Sequence, residues 1–294
     1  MSALWPAVQR TITEATGQPF AGTPRGGVGG GCIHANHVLS DGQRQFFVKV
    51  NRASALAMFI AEADGLNALA ATGTLKVPQV IGWGEVADQA YLVLEYLPLQ
   101  RRGNWYQMGQ RLAQLHRRGR GERYGWERDN YIGATPQKNH WHTDWATFFC
   151  SQRLAYQFQL AERRGGRFPQ VNAFLERVHQ LLSDVAVEPA LVHGDLWAGN
   201  AAFTATGEPV IFDPAVYYGH REVDLAMSEL FGGFPAEFYQ GYQAEWPLAP
   251  GYTHRKVVYN LYHILNHFNL FGGSYHDQAL AMMAHLQRLP LSGV

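Results

Sequence analysis

Lysine is scarce in this chain of 294 residues: only Lys49, Lys76, Lys138 and Lys256 occur. Any lysine inside a motif is therefore informative. Cysteine is rarer still. Cys32 and Cys150 lie far apart, which leaves no disulfide framework and no zinc-ligand spacing and suits a reducing cytosol. No apolar stretch approaches the roughly 18 residues of a spanning helix. Met1 to Gln18 has no basic segment followed by an apolar run, so neither a membrane span nor a signal peptide is expected, and the expected location is cytoplasmic. An excess of one charge is also missing. Lys plus Arg number 24, as do Asp plus Glu, which removes the basic surplus of a nucleic-acid or anionic-membrane binder. What the chain does have is apolar content, 47%, and length enough for one large domain or two lobes.

The most informative stretch is Leu191-Val-His-Gly-Asp-Leu-Trp-Ala-Gly-Asn200, followed by Val210-Ile-Phe-Asp-Pro-Ala215. Two short apolar runs, bounded by Gly or Pro, read as buried strands, and each leads into an aspartate. A carboxylate at the end of a buried strand is expensive to desolvate unless it meets a cation or a reactive group. Read singly, Asp195, Asn200 and Asp213 are ordinary turn and cap residues. Read together they are the set phosphoryl transfer needs: one carboxylate to orient the attacking hydroxyl and accept its proton, then an Asn and an Asp to hold magnesium. The spacing resembles the catalytic loop and metal aspartate of protein kinases, with His-Gly-Asp for His-Arg-Asp and Asp-Pro-Ala for Asp-Phe-Gly.

Upstream features agree. Arg25-Gly-Gly-Val-Gly-Gly-Gly-Cys-Ile33 precedes an expected strand, Ile33 to Leu39. Glycines let backbone amides approach phosphate, so Gly29, Gly30 and Gly31 read as a nucleotide-covering loop, although the same run alone is an ordinary surface turn. It is neither a Walker loop nor a dinucleotide fingerprint. Gln45-Phe-Phe-Val-Lys-Val50 alternates as a strand, and Lys49 reads either as an edge guard or as a cation for the α- and β-phosphates. On the helix expected from Ala53 to about Ala71, Glu62 falls in the stripe of Phe59, Leu66 and Leu69, where a carboxylate wants a buried partner. Lys49 is the natural one, the alternative being that Glu62 simply snorkels to solvent. Val77 to Ile81 and Tyr91 to Tyr96 complete a small sheet. Glu95-Tyr-Leu-Pro-Leu99 reads as a hinge whose backbone, around Glu95 and Leu97, meets adenine.

The second half reads as helical, with segments at Trp105–Arg118, Trp141–Glu162 and Phe168–Leu182 and a loop between Tyr124 and Gly133. His116 reads as a hydrogen-bonded core residue. Gln152 and Arg153 read as solvated or substrate-facing. Asp224 opens a helical run as a cap or as support for the catalytic loop. His263 and His267 are four apart on one helix, but without the glutamate of a zinc protease they read as polar packing around a pocket, with His267 a substrate candidate.

Taken together, the chain resembles the fructosamine kinase family. The resemblance is carried by Gly29-Gly-Gly-Cys-Ile33, Phe46-Phe-Val-Lys-Val-Asn51, Met58-Phe-Ile-Ala-Glu62, His193 to Asn200, Asp213 to Asp224, Leu261-Tyr-His-Ile-Leu-Asn-His267 and Phe271-Gly-Gly-Ser-Tyr275. His-Gly-Asp alone marks the wider aminoglycoside and choline kinase group; Trp197 and Tyr217-Tyr-Gly-His-Arg-Glu222 narrow it. The resemblance implies an α+β, bilobal, protein-kinase-like fold. An N-lobe at 1–100 carries a five-stranded antiparallel sheet and one helix, and a mainly helical C-lobe at 101–294 carries the sugar pocket. It implies ATP-dependent, Mg2+-dependent phosphorylation of the sugar 3-hydroxyl of a ketoamine, as a small molecule or on a protein lysine, in a monomer or homodimer. In that reading Asp195 orients the hydroxyl, Asn200 and Asp213 hold magnesium, and Lys49 with Glu62 binds phosphate. Trp197, where a kinase places a basic residue, reads either as a flat platform for the sugar or as a core-packing tryptophan, and His193 and Asp224 support the loop. Cys32 reads either as a redox-sensitive thiol or as an incidental small residue. Two other readings stay open: a kinase of an aminoglycoside- or choline-like amine, and an inactive ATP-binding module.

Overall fold

The computed structural model describes residues 3–27, 34–183 and 185–290. Gly29, Gly30, Gly31 and Cys32 lie outside the described residues. In chain order, α1 (Leu4–Thr16) leads to β1 (Thr23–Gly27), β2 (Ala35–Ser40) and β3 (Gln45–Arg52). After a 3-10 turn at Ala53–Ala55 come α2 (Leu56–Ala71), β4 (Val80–Val86), β5 (Gln89–Glu95), β6 (Leu99–Gln100) and α3 (Trp105–Arg118). The next elements are β7 (Asn130–Ile132), β8 (Thr135–Gln137), α4 (Trp145–Phe148), a π-helical run Phe149–Ala155, α5 (Tyr156–Arg163) and α6 (Val171–Ser183). The last are β9 (Ala190–Val192), β10 (Ala201–Thr204), β11 (Pro209–Ile211), β12 (Tyr217–Gly219), α7 (Glu222–Leu230), α8 (Ala236–Glu245), α9 (Tyr252–Phe271) and α10 (Tyr275–Arg288).

These elements form two compact units, Met1–Asn104 with Ala202–Pro214, and Trp105–Ala201 with Ala215–Val294. A single break near residue 100 therefore misses an excursion. The reason is backbone pairing. Phe203 and Thr204 of β10 pair with Gln100 and Leu99 of β6, and the Lys76 N–H and C=O bond Pro209 O and the Ile211 N–H. These bonds tie the segment carrying Asp213 to the first unit.

The first unit is built on an antiparallel sheet in the order β1-β2-β3-β5-β4. Alternation along β3 sends Phe46, Val48 and Val50 to one face, where Leu4, Val8 and Ile12 of α1 cover them. Each such side chain, fully buried, contributes about 1.5–3 kcal/mol. The resemblance implies one helix for this lobe; α1, where Val8 and Ile12 on one side of residues 6–16 already mark a short helix, is a second. Lys49 projects to the other face, towards α2, whose buried positions include Phe59, Glu62, Leu66 and Leu69.

The second unit packs around α9, from which Val258, Tyr259, Leu261, Tyr262, Ile264 and Leu265 enter one core. Helices α3 and α8 approach closely through glycines. A Cβ on Gly109 would lie 1.9 Å from Phe238 O, and one on Gly241 2.0 Å from Tyr106 O. The stretch read as a loop between Tyr124 and Gly133 contains β7 of the β7–β8 hairpin, and Arg153 is fully buried rather than solvated or substrate-facing. One arrangement accounts for both. Asn130 and Gln137 donate to Val216 O and Ala215 O at 2.7 and 3.0 Å. Arg153 donates to Asn139 Oδ1 at 2.8 Å, and its guanidinium lies 3.9 Å over the Tyr217 ring. Tyr262 donates to Gln137 Oε1 at 2.7 Å. A buried polar network of this kind, complete but for Arg153 Nε, holds backbone in one place, here Ala215 and Val216 on the way into β12.

Candidate active site

In the first unit, Lys49, Glu62 and Asp213 come together. The Lys49 ammonium donates to Glu62 Oε1 at 2.7 Å and to Asp213 Oδ1 at 2.6 Å. Lys49 and Glu62 are buried, whereas the Asp213 side chain is 47% exposed. Burial works against the charged Lys49, but Asp213 and then Glu62 outweigh it and hold its pKa above the ordinary lysine value. Burial pushes the Glu62 carboxyl up; Lys49 opposes this, and the Asp213 charge adds to it. Asp213 has φ +57°, a left-handed conformation uncommon outside glycine. Such strain persists only where surrounding structure enforces it, and it concentrates at functional positions.

His34, just after the glycine run, belongs to the same neighbourhood. Its Nδ1 lies 2.9 Å from Asn51 Nδ2, and its ring is 5.0 Å from that of Phe59. Burial, then the Lys49 charge, lowers its pKa to about 4, with Asp213 opposing, so it is neutral at physiological pH. Glu95 closes β5 with its carboxylate taken by Lys76 at 3.1 Å and by the Gln79 N–H at 3.2 Å, while half-buried Leu97 lies just beyond the strand.

In the second unit the loop after β9 carries His193, Asp195, Trp197 and Asn200. Strand β9 pairs with β12, and the Ala215 N–H donates to His193 O at 2.8 Å. Gly194 has φ +81°, and a Cβ there would lie 2.1 Å from Ala215 O. An arginine cannot occupy this position, which explains His-Gly-Asp. The Asn200 amide donates to Asp195 O at 2.9 Å and to Asp195 Oδ2 at 3.3 Å, tying the two ends of the loop. Trp197 is 39% exposed; its indole meets the Phe231 ring edge-on at 6.4 Å and lies against Gly199, where a Cβ would come within 2.2 Å of it.

Asp224, in the first turn of α7, is fully buried beneath this loop. It accepts from the His193 and Gly194 N–H groups at 2.7 and 2.8 Å and from His116 Nε2 at 3.1 Å. His116 in turn meets the Tyr242 hydroxyl at 2.8 Å. Burial would raise the Asp224 pKa, but the hydrogen bond from His116, the neighbouring histidines and the Gly194 N–H together lower it.

The sequence profile of a family described as fructosamine kinase matches residues 4–288. The chain belongs to the fructosamine kinase family. It is 55% identical over 290 residues to a probable ketoamine kinase of Synechocystis, covering 98% of both chains. It is 41% identical to a chloroplastic protein-ribulosamine 3-kinase of Arabidopsis thaliana, over 91% of this chain and 83% of that one. The crystal structure of a candidate fructosamine-3-kinase from Haemophilus somnus 129PT superposes with a TM-score of 0.91 at 31% identity, over 96% of this chain and 97% of that one. The fold is protein-kinase-like and α+β, and membership of a kinase family implies ATP as phosphoryl donor. Among the described residues no helix is long and apolar enough to cross a membrane.

Residue reading paired Lys49 with Glu62 and set Asp224 against the loop that carries Asp195, as the structure shows, but it missed further residues around them. The Asn130–Gln137–Arg153 network went unread because single polar residues on helices and hairpins look like surface, and Tyr242 because it looks like an ordinary core tyrosine. His116, read as a hydrogen-bonded core residue, is one.

Asp224→Asn tests the bracing. Its new NH2 group would face two backbone N–H donors and His116, leaving buried groups unpaired at a cost of about 3 kcal/mol. Because the folded pKa is depressed, the carboxylate's contribution is full above the unfolded value near 3.8 and fades as pH falls through the lower folded value. The difference in unfolding free energy between parent and variant is expected to be constant above pH 5 and to shrink below pH 4 in denaturant titrations.

Proposed function

We propose that this chain transfers the γ-phosphoryl group of ATP to the sugar 3-hydroxyl of a ketoamine, a fructosamine or ribulosamine, free or on a protein lysine. The observation that carries the phosphotransfer reading is the single buried ammonium of Lys49 shared by Glu62 and strained Asp213. The substrate class rests on relatives named ketoamine kinase and protein-ribulosamine 3-kinase. In this reading the first unit binds nucleotide and the second binds sugar. We also place the protein in the cytoplasm, which its two distant cysteines suit.

Each side chain then has a task. Asp195 accepts the proton of the attacking hydroxyl and orients it, with Asn200 fixing the carboxylate. Lys49 neutralises phosphate charge. The hard oxygens of Asn200 and Asp213 suit Mg2+, which they would hold and which would supply charge neutralisation at the triphosphate. Asp224 and His116 hold the backbone that carries Asp195. Catalysis of this kind is mainly positioning and electrostatic stabilisation.

Incubation with ATP and fructosyl-lysine or ribulosyl-lysine, with phosphorus NMR of the product, is expected to show a phosphate ester at the sugar O3. An ester at another position, or phosphorylation of aminoglycoside or choline in preference to both adducts, overturns the assignment.

A further inference from the structure

Beyond Trp197 the second unit carries a row of aromatic rings that the chemistry above leaves unused. Phe231, at the end of α7, lies between Trp197 and His267, with ring centroids 6.4 and 4.7 Å away. His267 in turn meets Phe271 at 5.6 Å and Tyr275 at 5.2 Å. Phe271 is 56% exposed, among the most exposed large apolar side chains described. The row starts in the loop that carries Asp195 and ends where α9 gives way to α10.

His267 supplies the row's polar group. Its Nδ1 lies 2.8 Å from His263 O, so the Nδ1–H donates and Nε2 carries the lone pair. Burial lowers the His267 pKa, against the pull of that backbone bond, and keeps the ring neutral. A neutral acceptor among aromatic faces is the chemistry that receives an alkylammonium ion. The rings attract the cation through their quadrupoles, and the imidazole takes an N–H.

We propose that Phe231, His267, Phe271 and Tyr275 form a subsite for the amine side of the substrate, which binds the protonated secondary amine and the alkyl chain beyond it. The inference rests on the ketoamine reading. In a ketoamine the nitrogen is attached at C1, two carbons from the reacting C3, so the amine must leave the reaction centre close to the Asp195–Trp197 loop. The aromatic row begins at that loop, and its end is open to solvent, as an amine borne on a peptide requires.

The test compares two substrates in one protein: fructosyl-lysine, with an alkylated amine, and 1-amino-1-deoxyfructose, with none. In the parent protein KM is expected to be lower for the lysine adduct. In Phe271→Ala/Tyr275→Ala the ratio of the two KM values is expected to move about tenfold toward the unsubstituted amine. An unmoved ratio, with both compounds still phosphorylated, overturns the subsite and leaves the ketoamine reading intact. So does an unmoved ratio with a change in molar mass by light scattering, which would make this face a contact between copies of the chain. If the parent phosphorylates neither compound, the ketoamine reading fails, and the subsite with it.

Discussion

Asp195→Asn is expected to lower kcat for phosphorylation of a synthetic fructosamine by about a thousandfold, within the range a positioned general base supplies. The structure indicates why folding should be spared. The Asp195 side chain is half-buried, and the stronger of its two bonds from the Asn200 amide, 2.9 Å, goes to its backbone oxygen, which the substitution leaves in place. The Asp195 N–H also keeps its bond to His193 Nδ1 at 3.2 Å. An asparagine can present its own oxygen to Asn200 where the carboxylate stood. Loss of activity at an unchanged melting temperature therefore separates chemistry from stability. Single-turnover mixing with ATP in excess would show whether the lost step is transfer itself. Turnover within tenfold of the parent would remove Asp195 from its assigned role.

What could be read in advance follows from how chemistry marks a sequence. Asp195, Asn200 and Asp213 stand out because two carboxylates after buried strands, with an amide between, satisfy no packing rule on their own. Glu62 stands out because an acid within an apolar helical stripe demands a partner, and a chain with four lysines offers few. Supporting residues carry no such mark. Arg153 looks like any arginine on a helix until the π-helical run Phe149–Ala155 is seen to bury it against Tyr217. Tyr242 looks like a core tyrosine until it meets His116. The path of Ala202–Pro214 was hidden for another reason. It is set by backbone bonds to Lys76, Leu99 and Gln100, and backbone pairing between distant segments leaves little trace in side-chain pattern.

The second large effect is expected from Lys49→Met. Methionine fills the space but leaves Glu62 buried without its cation, and breaking a buried pair from one side costs about 3–5 kcal/mol. Asp213 is half exposed and can be solvated, so most of the penalty falls on Glu62. Burial already raises the Glu62 pKa, and removing Lys49 takes away the influence that opposed this. In the variant the folded pKa therefore rises further above the unfolded value. A group of that kind is harmless to stability while protonated, below its unfolded pKa, and penalises the fold progressively as pH rises through the folded value. The loss of stability relative to the parent should accordingly be larger at pH 8 than at pH 5. Glu62→Gln in the same chain removes the stranded charge and should restore most of the melting temperature, while kcat/KM for ATP stays depressed about a hundredfold or more, because the phosphate cation is still missing. A double variant that regains both stability and ATP turnover would mean that Lys49 serves only to neutralise Glu62. One that regains neither would mean that the three-residue cluster organises the first unit beyond its charges.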